Sequence, residues 1–272
     1  MTYDIKAASL LPSNENRSLL VHSLISAFRL SAFENQGGSK ALQVLKPIEA
    51  TKKDLSAYHS RDYLDYVLDP KNSSGHSASA TVITAEFGLE DVSGLLLSAE
   101  TYRLHQDCPL FAGLPAYIRL VAGASLSSTS ILRQDKADVA ICWDGGRYGF
   151  MSFSLLPRQS HMILYRHHAQ KSHAAGFCYV ADCVLVILAL KKAISGPPMK
   201  KPRVMYLDLD LHFSDAVSQA FHSTRSSTVP QVMVREIQVY SILHGLTRPR
   251  PFQLIIQLQD FFLCLRYPLY RP

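Results

Sequence analysis

Arg203-Val204-Met205-Tyr206-Leu207-Asp208-Leu209-Asp210-Leu211-His212-Phe213-Ser214-Asp215 is the stretch that decides the fold. A β-strand sends successive side chains to opposite faces. On that period Asp208, Asp210 and His212 line one face, while Leu207, Leu209 and Leu211 line the other. Two carboxylates and an imidazole on an otherwise apolar strand are costly to bury without a cation among them. A divalent metal is the cation that such a mixed oxygen and nitrogen set favours. The competing reading is an edge strand with a solvated polar face.

Outward from that strand, helices and strands alternate. Tyr179 to Ala193 is an apolar helix pattern closed by Gly196-Pro197-Pro198, and Pro202 precedes the Asp-rich strand. Asp138 to Trp143 reads as a buried strand ending in a tight Asp144-Gly145-Gly146 turn. Pro115 to Leu132 predicts a helix, with Ile118, Val121, Ala122, Leu126 and Ile131 as its apolar positions. Nearer the start, Ala8 to Asn14 predicts a short strand, and Leu19, Leu20, Leu24, Ile25 and Phe28 recur at helical spacing. Leu42 to Ile48 reads as extended, helices follow at Lys53 and through Tyr58 to Val67, and Asp69 to Gly75 is a loop by composition. This order predicts an α/β fold, a mostly parallel sheet with helices on both faces. In such sheets ligands gather beyond the carboxyl ends of the strands, where Asp210, His212 and the Gly145-Gly146 turn fall.

Composition narrows the classes. The 272 residues are 47% hydrophobic and 18% charged, values of a globular chain able to bury a large core. The net charge of +6 is scattered, with no basic run of the kind that marks nucleic-acid or membrane binding. Neither nucleic acid nor membrane is therefore expected as a direct partner. Cys108, Cys142, Cys178, Cys183 and Cys264 form no CxxC pair, and Met1 to Lys6 opens no secretory signal, which together predict a reducing, intracellular setting. The longest apolar run, Val184 to Leu190, is far short of the ~20 residues a membrane span needs.

His167-His168 is the second chemical signal, followed by a glycine-containing turn at Gly176-Phe177-Cys178-Tyr179. An imidazole titrates near working pH, so two of them suit general base and general acid roles. Alone, such a pair is common surface decoration. Beside a metal-type strand it supplies the proton shuttle that metal-assisted hydrolysis needs. Cys178 and Cys183 read as core residues, and His59, His161, His173, His222 and His244, which lack ligand spacing, as surface or supporting residues.

These segments resemble the zinc-dependent histone deacetylases of the class I type, fungal members included. The likeness runs in order through Ser9-Leu10-Leu11-Pro12-Ser13, Tyr58-His59-Ser60-Arg61-Asp62-Tyr63-Leu64, Asp107-Cys108-Pro109, Gly123-Ala124-Ser125 and Trp143-Asp144-Gly145-Gly146-Arg147. It continues through His167-His168-Ala169-Gln170-Lys171-Ser172, Ala175-Gly176-Phe177-Cys178-Tyr179 and Asp208-Leu209-Asp210-Leu211-His212. The resemblance implies a three-layer arginase/deacetylase-like fold over 1–232, with a tail over 233–272 unrelated to the family. By the same resemblance Asp210 and His212 are two of three zinc ligands, and His167 and His168 the tandem catalytic histidines. Asp208 supports the first histidine and lends its backbone to a structural potassium ion, and Asp215 supports the second. Gly176 and Phe177 belong to the tunnel for the acetyl-lysine side chain, and Asp107 is the rim carboxylate that holds the substrate backbone. Acetylated histone tails or other acetyl-lysine proteins are the implied substrates. Corepressor proteins are the implied partners, and the nucleus, with the cytoplasm as a second site, the implied location.

The chain departs from the family pattern in three places. Tyr148 to Arg166 separates the Gly-Gly turn from the histidines, and deleting this 148–166 insert restores the family text. We take it as a retained intron or gene-model error, a hypothesis that a spliced transcript keeping those codons would sink. From Met233 to Pro272 nothing resembles the family, so the third zinc ligand and the oxyanion tyrosine have no counterpart and the fold is expected to be incomplete at its C-terminal end. Phe213-Ser214-Asp215-Ala216 stands where the family has His-Gly-Asp-Gly, which removes two glycines from the loop. The chain as written is therefore expected to be a poorly active or inactive deacetylase. Two alternatives are an inactive homologue serving a corepressor complex and an amidohydrolase for small acetylated amines.

Overall fold

The computed structural model describes residues 17–28, 44–73, 101–104, 108–142, 168–192, 204–208, 215–221, 232–236, 252–258 and 261–267. The predicted strand at Ala8 to Asn14, the 148–166 insert, Trp143, Asp107, His167, Asp210 and His212 lie outside them.

Helix α1 (Arg17–Ala27) forms where apolar spacing predicts it. Ile25 is buried, while Leu19, Leu20, Leu24 and Phe28 are exposed among the described residues. Next, α2 (Lys52–Leu55) opens on a reciprocal capping box between Thr51 and Asp54, and α3 (Arg61–Val67) begins at Ser60. The segment Asp69 to Gly75, a loop by composition, contains one helical turn, α4 (Pro70–Ser73). Its cause is local: proline suits a first helical position, and the Asp69 carboxylate accepts from the Lys71 N–H at 2.9 Å.

Helix α5 (Leu114–Arg133) is the longest element and buries Leu114, Tyr117, Ile118, Val121, Ala122, Ser125, Thr129 and Leu132 along one stripe. It is followed by strand β1 (Val139–Cys142), which opens one residue later than the sequence suggests, with Trp143 outside the described residues. Helix α6 (Asp182–Lys191) starts three residues later than its apolar run, and Arg133 donates to the Ala189 carbonyl at 2.8 Å near its C-terminal end.

The sheet holds five strands, adding β2 (Val204–Asp208), β3 (Val232–Glu236), β4 (Phe252–Leu258) and β5 (Phe261–Tyr267), in the order β1-β5-β4-β2-β3. Strand β2 pairs parallel with β3 and with β4, while β5 pairs antiparallel with β4 and with β1. Among the described strands the sheet is thus mixed, not mostly parallel. The cause is the two-residue link between β4 and β5, which permits a hairpin and no crossover.

Two apolar cores flank α6. Val184, Val186, Ile187 and Leu190 pack with Val204 and Tyr206 of β2, and with Val217 of α7 (Asp215–Phe221). Leu185 packs instead with Leu55, Tyr63, Leu64, Ile118 and Val121 of the helices. Contact on both sides is why α6 is apolar around its whole circumference. The register of β2 follows the alternation read from the sequence, with Val204 and Tyr206 turned to α6 and Asp208 on their face.

Candidate active site

The site builds from the carboxyl end of β2. Asp208 closes that strand, is 2% exposed, and accepts a hydrogen bond from the Tyr206 hydroxyl at 3.0 Å. The two residues are two apart on one strand, so their side chains share a face. Cys183 at the start of α6 meets the same group. Burial pushes its thiol well above the ordinary range, the carboxylates of Asp182 and Asp208 push it further, and the Tyr206 hydroxyl opposes them. A thiol held protonated in this way is a packing group and no nucleophile.

Asp182 is a second buried carboxylate and accepts from the Ser125 hydroxyl at 2.7 Å. It sits in the first turn of α6, where free N–H groups favour negative charge. Beside it, a cavity of about 10 Å³, close to the volume of one water, is lined by Ala169, Cys178, Ala181, Asp182, Ala216 and Val217 among others. The cavity therefore marks where the 168–181 segment, the start of α6 and the start of α7 converge.

That segment carries His168, which is buried at 2% exposure. Its far end makes a tight turn in which Ala175 and Cys178 exchange backbone hydrogen bonds of 3.1 and 2.8 Å. Both central residues are left-handed, Gly176 at φ 53° and Phe177 at φ 62°. Two positive φ values in succession mark the primed hairpin turn. Glycine adopts this conformation freely, whereas a phenylalanine there carries strain of about 1–3 kcal/mol. The surrounding contacts hold it in place.

Those contacts come largely from α3 and the turn before it. Ser60 N–H donates to the Lys171 carbonyl at 2.8 Å, and the Tyr63 hydroxyl donates to the Tyr179 carbonyl at 2.7 Å. His59 Nε2 accepts from the Ala181 N–H at 3.0 Å. The Tyr179 hydroxyl in turn donates to the Pro109 carbonyl at 2.6 Å, tying in the loop beside Asp107. Burial pushes the Tyr63 and Tyr179 phenols well above their ordinary range, so both stay protonated donors.

Of the residues singled out by sequence, the structure describes His168, Asp208, Gly176 and Phe177, and it starts α7 at Asp215. His168 and Asp208 are both buried, and neighbours of each line the α6 start. His167, Asp107, Asp210 and His212 fall outside the described residues, the last two between the end of β2 and the start of α7. Sequence reasoning missed Tyr206, whose place on the Asp208 face follows from the strand period. It also missed Asp182 and Ser125, and it left His59 without a task although Tyr58-His59-Ser60 lies in a quoted motif. The resemblance noted in the sequence implies a metal, yet among the described residues no group of three or more His, Cys, Asp or Glu is placed to hold one.

A histone deacetylase domain model matches residues 12–241. Histone deacetylase 2 of Oryza sativa subsp. japonica is 32% identical over 213 residues, covering 78% of this chain and 32% of its own length. Histone deacetylase 3 of the same species gives the same identity and coverage. Probable histone deacetylase 1-A of Xenopus laevis is 29% identical over 215 residues, covering 78% of this chain and 34% of its own. The chain thus spans about a third of the length of the curated relatives it matches. With its match running through most of the sequence, including every motif around the buried β2 terminus, this chain belongs to the histone deacetylase domain family.

Proposed function

We propose that this chain carries the framework of a protein lysine deacetylase, which hydrolyses the acetyl amide of acetyl-lysine on histone tails or similar substrates in the nucleus. The observation that supports this reading is that His168 and Asp208 are each buried, with His168 on the same segment as the strained Gly176-Phe177 turn. Such a turn suits the wall of a narrow tunnel, which would select a lysine whose charge acetylation has removed. His168 is assigned as the general base and His167 as its partner in protonating the leaving amine. Asp208 supports His167, Asp215 supports His168, and Asp107 anchors the substrate backbone at the rim.

Zinc, when bound, supplies the Lewis acid that polarises the amide carbonyl and its attacking water. Asp210 and His212 are the ligands this chain offers, one short of the three protein ligands that catalytic zinc sites use. A potassium ion near the Asp208 backbone belongs to the same reading. These two donors do not by themselves complete a zinc site. The chain as written is accordingly proposed to be a poor catalyst. Its second reading, a deacetylase-like scaffold binding corepressor proteins, draws on the same shortage of ligands.

Zinc content and turnover of an acetyl-lysine peptide by the purified chain decide among these readings. The expected result is well under one zinc per chain, with a rate on the order of 10²–10³ below an ordinary deacetylase from the missing oxyanion donor alone. Stoichiometric zinc with ordinary turnover would overturn the poor-catalyst reading. Absence of any peptide binding would leave the scaffold. A small acetylated amine turned over faster than the peptide would favour the amidohydrolase, since only a peptide exploits Asp107.

A further inference from the structure

His59 is 3% exposed, and its ring lies against Tyr58 and Tyr63 at centroid distances of 5.3 and 5.4 Å. A buried histidine packed between tyrosines is ordinarily core filling. This one differs in what it accepts. The Ala181 N–H lies at the end of the 168–181 segment, immediately before the first helical residue of α6, and points at His59 Nε2. Neither a helix nor a strand partner serves that amide, and a buried amide left unpaired is costly. Accepting a hydrogen bond at Nε2 requires that nitrogen to be bare, which places the ring proton on Nδ1. Nδ1 faces the carbonyls of Gln170 and Lys171 without reaching hydrogen-bond geometry among the described residues. His59 therefore holds the end of the segment through Ala181, and its ring lies near the backbone of Gln170 and Lys171 at the start.

We propose that His59 is a positioning residue, which fixes the segment bearing His168, Gly176 and Phe177 by acting as a neutral acceptor for the Ala181 amide. The neighbouring contacts explain why a single acceptor matters. Ser60 and Tyr63 hold Lys171 and Tyr179 through their carbonyls, so they leave the Ala181 amide untouched. His59 is the group that converts a run of held carbonyls into a segment anchored at its junction with α6. Burial keeps the imidazole neutral by pushing its pKa down to about 4, with the two carbonyls pulling weakly the other way. The inference rests on the deacetylase reading only in calling the segment a tunnel wall.

The test needs no turnover, so its failure and a failure of the deacetylase reading are separable. Amide hydrogen exchange is measured over 168–181 and, as an internal reference, over α5. His59→Phe keeps a ring and removes the acceptor, whereas His59→Gln places an oxygen near the Nε2 position. The expected result is exchange raised about tenfold in 168–181 for His59→Phe, with α5 unchanged and His59→Gln close to the parent. Unchanged exchange in His59→Phe, or an equal rise across α5, would overturn the proposal. If His59→Phe does not fold, the nitrogen-15 spectrum of the unmodified chain decides. A bare Nε2 with protonated Nδ1 from pH 5 to 8 supports the assignment, and protonated Nε2 in that range refutes it.

Discussion

Gly123 shows how one missing carbon can hold two segments together. A Cβ there would sit 2.1 Å from the Ile48 carbonyl oxygen and 2.7 Å from the Ala50 nitrogen, both backbone atoms. The 48–50 stretch crosses α5 at this point, with Ala50 N–H on the Arg119 carbonyl at 2.9 Å and Ile48 N–H on the Ser127 hydroxyl at 3.1 Å. Backbone cannot rotate away as a side chain can, so Gly123→Ala is expected to destabilise by about 2–4 kcal/mol. A urea midpoint equal to the parent's would refute the crossing. His59 gives a second prediction of residue scale. Its pKa falls from 6.5 to about 4 on burial, so above pH 6.5 neither folded nor unfolded chain holds the proton. Between pH 6.5 and 4 the unfolded chain takes it up first, and stability drops by on the order of 3 kcal/mol. His59→Gln should flatten that part of the stability curve; parallel curves for parent and variant would refute the burial of a neutral ring. The role of Gly123 is not readable from Gly123-Ala124-Ser125, because what forbids a side chain lies some seventy residues upstream in sequence.

At the scale of elements, local signals were read well and partner choice was not. The alternation in Val204 to Asp208 located β2 and the faces of its side chains, because one face of that strand is buried against α6. The apolar run from Tyr179 located α6, but not its start, since the Ala181 amide is claimed by His59 before the helix opens. The family match ends before Phe252 to Tyr267, where aromatic and branched residues crowd two strand-length runs. These runs are β4 and β5, which fill the middle of the described sheet. Backbone partners flank Ile255 on both sides, Tyr206 of β2 and Cys264 of β5. Ile255→Pro deletes a ladder donor in a central strand and is expected to cost ~3 kcal/mol or more. Loss of the cooperative unfolding transition, followed by circular dichroism, is the outcome anticipated; an unshifted midpoint would remove β4 from the centre of the sheet.

For the molecule as a whole, the fold class was legible because helix and strand periods differ, whereas strand order depends on pairings that no short window contains. His168, Asp208, Gly176 and Phe177 are proposed site residues that motif spacing singles out, and the structure describes the burial of the first two and the positive φ of the last two. The candidate site was illegible at Asp182 and Ser125, ordinary residue types that meet between α6 and α5, and at Tyr206, whose hydroxyl reaches Asp208 along one strand. Among the described residues no helix is long and apolar enough to cross a membrane. On the proposed reading that Asp210 and His212 are its two zinc ligands, metal should contribute little to folding. Adding a chelator is therefore expected to leave the melting temperature within about 1 °C, since weak binding adds little by mass action. A fall of several degrees would reveal a tight site and reverse that judgement.

The pairing of β1 with β5 joins Val139 to Leu265, and among the described strands β2 reaches β1 only through the β4–β5 hairpin. On a ribosome, the two older strands are made long before the pieces that connect them. The growing chain must shelter two open edges until residue 267 has left the exit tunnel. The sheet can therefore close only once the hairpin is made, and a stall ahead of codon 252 would leave a sticky half-product for chaperones to guard.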